Sequence, residues 1–222
     1  IADRNFDKKV ERTKNRPIAS GKISLKLALF YSCALCLLAF LVLINFNYFA
    51  IWMALASMPL AFTYPLMKRI TYWPQLFLGI TFNYGLILAW ISISNEISII
   101  PIIFYFGAIF WTLGYDTIYG YQDIQDDEII GLKSTSIKFK GTAKYFLMMT
   151  YLILIISLLM GGYTMNFNLY YYLFLILPIS HLFFYQIRIF DPRNPNTCLK
   201  IFKSNNYLGF IILINIILGK NL

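Results

Sequence analysis

Charge is what this sequence has least of. Asp, Glu, Lys and Arg make up 13% of its 222 residues, about half the share usual in soluble domains, while 59% are hydrophobic. That balance excludes an ordinary soluble globule. No polar stretch between the apolar runs is long enough to build its own core, so no soluble domain is expected. With three cysteines and no extracellular framework, a structural disulfide is not expected either. Cys33 and Cys36 fall mid-run and read as small buried residues rather than a redox pair, and Cys198 reads as a lone loop thiol. The single histidine, His181, lies on an apolar run after Pro178 and reads as a packed or hydrogen-bonded side chain, not a ligand. An initiator methionine is also missing. The chain opens at Ile1 inside IADRNFDKKVERTKNRPIASG, which contains acids and no apolar core, and so is neither a signal nor a transit peptide. A piece of a longer protein is expected.

What is present is a series of apolar runs, at 25–44, 48–67, 76–94, 98–121, 145–162, 169–187 and a shorter one at 205–219. Most are near the ~20 residues a helix needs to cross hydrocarbon. The expected fold is all-α, a multi-pass transmembrane helical bundle forming one domain over residues 1–222. The cations orient it. Of 19 Lys and Arg, eight lie between Arg4 and Lys26, followed by Lys68 and Arg69, four in 133–144 and four in 188–203. The alternate loops carry none, and Lys220 is the exception. By the positive-inside rule the basic loops face the cytoplasm, or the matrix of a mitochondrion. Nine of the ten acids fall on or near that side, leaving Glu96 opposite. The net charge of +9 is therefore a topology signal. Spread over four loops, it does not suggest a nucleic-acid partner.

One stretch interrupts the apolar pattern. Residues Asp116 to Thr135, DTIYGYQDIQDDEIIGLKST, follow the run IIPIIFYFGAIFWTLG. Carboxylates in or beside a membrane helix are costly and mark sites that handle ions or charged substrate. In one continuous helix, at about 100° per residue, Asp116, Asp123 and Asp127 would share a narrow stripe. The opening segment has the same pattern: Asp3 and Asp7 are spaced i, i+4 like Asp123 and Asp127, and each pair precedes a basic loop. A single D-x-x-x-D is usually a solvated face. Two on one side of a bundle suggest Mg2+ held by carboxylates beside phosphate oxygens, with Arg and Lys taking the remaining phosphate charge. An ion-coupled transporter also places acids in its spans, but near the midplane; these cluster at one end. The abundant aromatics, Tyr170–Tyr172 among them, read mostly as interface belts and lipid-facing surface.

DRNFD followed by ERTKNRPIASG resembles the first aspartate-rich motif of the UbiA-type membrane prenyltransferases. YPLMKRITYWPQLFLG (64–79) and DTIYGYQDIQDDEIIGLKST resemble signatures of the branch acting on 4-hydroxybenzoate, as does the tail HLFFYQIRIFDPRNPNTCLKIFKSNNYLG. The resemblance covers essentially the whole chain. Two departures stand out. The family's first motif begins with Asn-Asp upstream of the position matching Asp3, and members usually have about nine spans against seven here; both suggest that two spans precede Ile1. The resemblance implies Mg2+-dependent transfer of a polyprenyl group from a polyprenyl diphosphate to the ring carbon ortho to the hydroxyl of 4-hydroxybenzoate, an early step in ubiquinone biosynthesis. It implies Asp3, Asp7, Asp123 and Asp127 as metal ligands, and Arg16, Lys68, Arg69 and Lys133 as diphosphate partners. Asp116 would be catalytic, orienting the acceptor or helping to deprotonate its phenol. Tyr119 would contact substrate and, with Tyr121 and Phe82, shield an allylic cation. The expected location is a bacterial inner membrane, with the mitochondrial inner membrane as the alternative. A family member using another aromatic acceptor, or making haem O, is the alternative activity.

Overall fold

The structure, a computed structural model, describes Ile1 and residues Asp3 to Asn221, and it is helical with no strand among them. A short helix, α1 (Arg4–Asp7), precedes four long ones: α2 (Leu25–Leu43), α3 (Tyr48–Ile70), α4 (Pro74–Ser94) and α5 (Ile99–Gly120). Two short helices follow, α6 (Ile124–Ile129) and α7 (Thr135–Lys138), then α8 (Ala143–Thr164), α9 (Leu169–Ile189) and α10 (Pro195–Asn221). Seven of these are long and apolar enough to cross a membrane, as the runs in the sequence suggest.

Several helix starts fall where the sequence supplies a capping side chain. Ser24 accepts from the Leu27 N–H, Asn47 from Ala50, and Asn168 from Tyr171. At the end opposite the basic loops, Asn95 (φ 56°) and Asn166 (φ 52°) take left-handed turns, a conformation asparagine tolerates better than most residues. The last span differs from expectation. It begins at Pro195, ten residues before the apolar run, because Pro suits the first helical turn and Asn194 accepts from the Thr197 N–H. Cys198 is therefore no loop thiol: it sits in α10, wholly buried with Ile201 and Leu208. Cys33 and Cys36 are instead exposed on α2, and all three thiols are free.

The core centres on α5, which packs against α8, α4 and α10. Gly107 meets Ser157, and Gly114 meets Tyr151 and Thr150, at distances a Cβ would not permit. Small residues of this kind let membrane helices approach closely. A buried polar chain ties the same helices together. The Tyr151 hydroxyl donates to Gln186 Oε1 (2.6 Å), while Gln186 Nε2 (3.1 Å) and Trp111 Nε1 (2.8 Å) both donate to Asn205 Oδ1. Tyr171 corrects the reading of its cluster as surface: it is fully buried and donates to the Leu158 carbonyl at 2.8 Å, whereas Tyr170 is exposed. On α2 and α3, Phe30, Leu35, Trp52 and Phe62 point outward, as lipid-facing surface would.

Candidate active site

Each acidic pair opens a short helix. Asp3 precedes α1, and the Asp7 N–H donates to its carbonyl at 2.8 Å; Asp123 precedes α6, and the Asp127 N–H donates to its carbonyl at 2.9 Å. The similarity of the two segments is thus one of conformation as well as spacing. The continuous stripe through Asp116, Asp123 and Asp127 does not form. Helix α5 ends at Gly120, where a Cβ would collide with Ser136 Oγ. Tyr121 then packs edge-on to Phe190 (centroids 5.3 Å apart), and the chain restarts at Asp123. Asp116 therefore belongs to a membrane helix, and Asp123 and Asp127 to the cap above it. All five carboxylates nevertheless line one cavity of about 250 Å3 at the basic end of the bundle.

The loop from Gly131 to Ser136 forms one wall. Gly131 has φ +76°, which favours glycine. The Lys133 N–H donates to the Lys68 carbonyl (2.8 Å), and the Thr135 N–H to Gln75 Oε1 (3.0 Å). The Thr117 and Thr135 hydroxyls meet at 2.6 Å, and Ser136 donates to the Thr117 carbonyl at 2.7 Å. Gln75 is buried and lines the cavity too. An amide beside a proline carries no signal in a sequence, so its bracing role was not legible there.

The cavity's cations are paired. Arg16 Nη1 lies 3.0 Å from Asp7 Oδ1, Lys68 Nζ 2.9 Å from Asp3 Oδ2, and Arg69 Nη2 3.2 Å from Asp3 Oδ1. Arg12 does most. Its Nε donates to both Asp123 oxygens (2.8 and 2.9 Å), its Nη2 also pairs with Asp123, and its Nη1 donates to the Tyr119 hydroxyl (2.8 Å). The hydrogen bond to Asp123 raises the guanidinium above its ordinary pKa despite partial burial. Sequence reasoning missed Arg12 as a site residue; its one signal is its place in the basic run directly after the first acidic pair. Tyr119 is held between Arg12 (5.0 Å) and Phe202 (4.4 Å).

Not every expected residue reaches this cavity. Lys133 Nζ donates to the Ile70 carbonyl at 3.1 Å and lies over Tyr72, outside the lining. Arg69 joins through Asp3 rather than by lining it. Tyr121 is buried, and Phe82 lines a separate cavity with Trp111 and Tyr115. Of the cavity's five acids, two have side chains without a hydrogen bond or ion pair among the described residues, Asp116 and Asp127. Burial and then the neighbouring Asp123 push the Asp127 carboxyl up to about 6, against the opposing pull of Lys68 and Arg12.

The donor set is carboxylate oxygen. Among the described residues no three His, Cys, Asp or Glu side chains converge to enclose an ion. Carboxylates in pairs, open to a phosphate, suit Mg2+, which commonly takes one or two protein carboxylates, phosphate oxygens and water. A soft metal enclosed by protein ligands does not fit.

A family model described as the UbiA prenyltransferase family matches residues 1–213. The chain is 42% identical over 221 residues to 4-hydroxybenzoate geranyltransferase 2 of Lithospermum erythrorhizon, covering 98% of this chain and 71% of that protein. It is also 42% identical over 218 residues to the mitochondrial 4-hydroxybenzoate polyprenyltransferase of Rattus norvegicus, covering 98% of this chain but 58% of that protein. It thus spans little more than half the length of the rat relative. Among solved structures, the apo form of a UbiA homolog from Aeropyrum pernix K1 shares its fold, with a TM-score of 0.81 at 22% identity over 97% of this chain and 80% of that one.

Proposed function

The chain belongs to the UbiA prenyltransferase family, and from that premise we propose that it transfers a polyprenyl group from a polyprenyl diphosphate to 4-hydroxybenzoate. The observation carrying this reading is the meeting of Asp3 and Asp7 with Asp123 and Asp127 around one cavity that also holds Arg12, Arg16 and Lys68. Those four acids would hold Mg2+. Bound there, the metal would stabilise charge on the departing diphosphate as the allylic C–O bond breaks. Arg12 and Arg16 would grip phosphate oxygens through their planar forks, and Lys68 as a point charge. Lys133 acts instead as a brace, tying its loop to the Ile70 carbonyl.

Asp116 lies on the cavity wall with Tyr64 and Tyr119. It would orient the acceptor or accept the phenol proton while the ring carbon ortho to the hydroxyl forms the new C–C bond; that carbon then loses its hydrogen as a proton, restoring the aromatic ring and the phenol. The donor's tail would stay in the apolar bundle, and the membrane would keep water from quenching the allylic cation. The product would enter ubiquinone assembly. The names of the mammalian relatives favour the mitochondrial inner membrane over a bacterial one, with the basic end toward the matrix.

The test uses the full-length protein in membranes with Mg2+, a polyprenyl diphosphate and 4-hydroxybenzoate. Prenylated acid and released diphosphate are expected in equal amounts. A folded protein that yields neither at saturating Mg2+ would overturn the reading. Product with a different aromatic acceptor alone would overturn only the choice of acceptor.

A further inference from the structure

Away from the acidic cavity, a second cavity of about 670 Å3 opens between α9 and α10. Helix α10 turns Cys198, Ile201 and Leu208 into the core, and presents Lys200, Lys203 and Tyr207 to this other face. All three are exposed, Tyr207 by 72%. The cavity therefore faces out of the bundle.

Its charge is one-sided. No acid lines it, and Lys200 and Lys203 make no ion pair among the described residues, whereas Arg12, Arg16 and Lys68 are each held by a carboxylate. The first turn of the long helix α10, with its partial positive charge, lies beside Asn196 at the cavity's upper end. Below the lysines, His181 Nε2 and the Ser204 hydroxyl meet at 3.1 Å and form a polar ledge. His181 lies in the π-helical stretch Ser180–Gln186, a departure from regular helix often found at functional sites.

The dimensions indicate what fits. From Asn196 to Tyr207 the helix rises about 16 Å, about half of it beyond the lysines, enough for a headgroup and the first part of an acyl chain. Cations and an amide stand at the basic end of the span, with Leu199 beside them, and the aromatic surface of Tyr207 lies deeper. A free inorganic anion would use only the top of such a groove. We propose that it binds an anionic phospholipid of the leaflet on the basic side, its phosphate between Lys200 and Lys203 and an acyl chain descending along Tyr207. The inference does not depend on the prenyl-transfer reading.

The experiment compares lipids on the full-length protein purified in detergent, by native mass spectrometry and thermal unfolding. Phosphatidylglycerol is expected to bind and stabilise more than phosphatidylcholine of the same acyl chains. Lys200→Gln and Lys203→Gln should each weaken phosphatidylglycerol about fivefold, the effect of one cation near an anionic surface. The double arginine variant should retain the preference. Equal binding of the two lipids, or wild-type phosphatidylglycerol affinity in the double glutamine variant, would overturn the proposal. So would displacement of the lipid by equimolar inorganic phosphate, which would make this a free-anion site. The lysines are exposed and unpaired, so loss of fold does not confound the variants.

Discussion

Arg12 joins a metal-ligand candidate to an aromatic hydroxyl, donating to both Asp123 and Tyr119. Arg12→Lys keeps the charge but loses the fork, so kcat/KM for the polyprenyl diphosphate should fall about 10- to 100-fold, the range for a lost charge-assisted hydrogen bond. Steady-state kinetics at saturating Mg2+ would check it. Asp127 gives a pH prediction. Its carboxyl is raised to about 6, so below that pH it is protonated and a poor ligand, and above it charged. Mg2+ affinity, measured by calorimetry between pH 5 and 7.5, should therefore rise with pH through about 6. Asp123→Asn removes the neighbouring like charge and should move the midpoint down. At this scale the acids were legible in the sequence because charge is rare in a membrane chain. Arg12 was not singled out, because orientation alone accounts for any cation in a basic loop; whether one reaches inward, as Arg12 does and Lys133 does not, depends on packing.

Among the elements, the crossing of α5 and α8 sets the position of Asp116. Gly114 stands two residues before it, against Tyr151 and Thr150. Gly114→Leu should overpack this crossing and cost about 1–3 kcal/mol of stability, seen as a lower thermal midpoint in detergent. The span positions were readable because lipid demands a minimum apolar length. The break at 121–123 was not, since Gln and Asp are tolerated in helices and it is Ser136, distant in sequence, that takes the Thr117 carbonyl while the Tyr121 N–H turns to Ile118. The early start of α10 escaped for a related reason. Its first ten residues bury Cys198 and Ile201 on one face while Lys200 and Lys203 lower the average hydropathy.

Over the whole molecule, charge asymmetry places the acidic cavity and the basic loops at one membrane face, with Asn95 and Asn166 at the other. Once the three native cysteines are replaced by serine, Ser20→Cys and Asn95→Cys should be labelled by an impermeant maleimide from opposite sides of sealed vesicles. Labelling of both from one side would contradict the topology. The way the chain's two acidic segments come together could not be read from spacing, because it depends on how seven helices pack.

The pairing of the cavity's ions has a further consequence. Asp3, Asp7 and Asp123 are already occupied by Lys68, Arg69, Arg16 and Arg12, so a lone anion finds the lining cations engaged and a lone metal finds only Asp116 and Asp127 without a counter-charge among the described residues. A metal that captures the aspartates sets free basic side chains, and those are what a diphosphate needs. The two guests should accordingly bind more tightly together than either does alone, each drawing off the partners that hold the other's ligands.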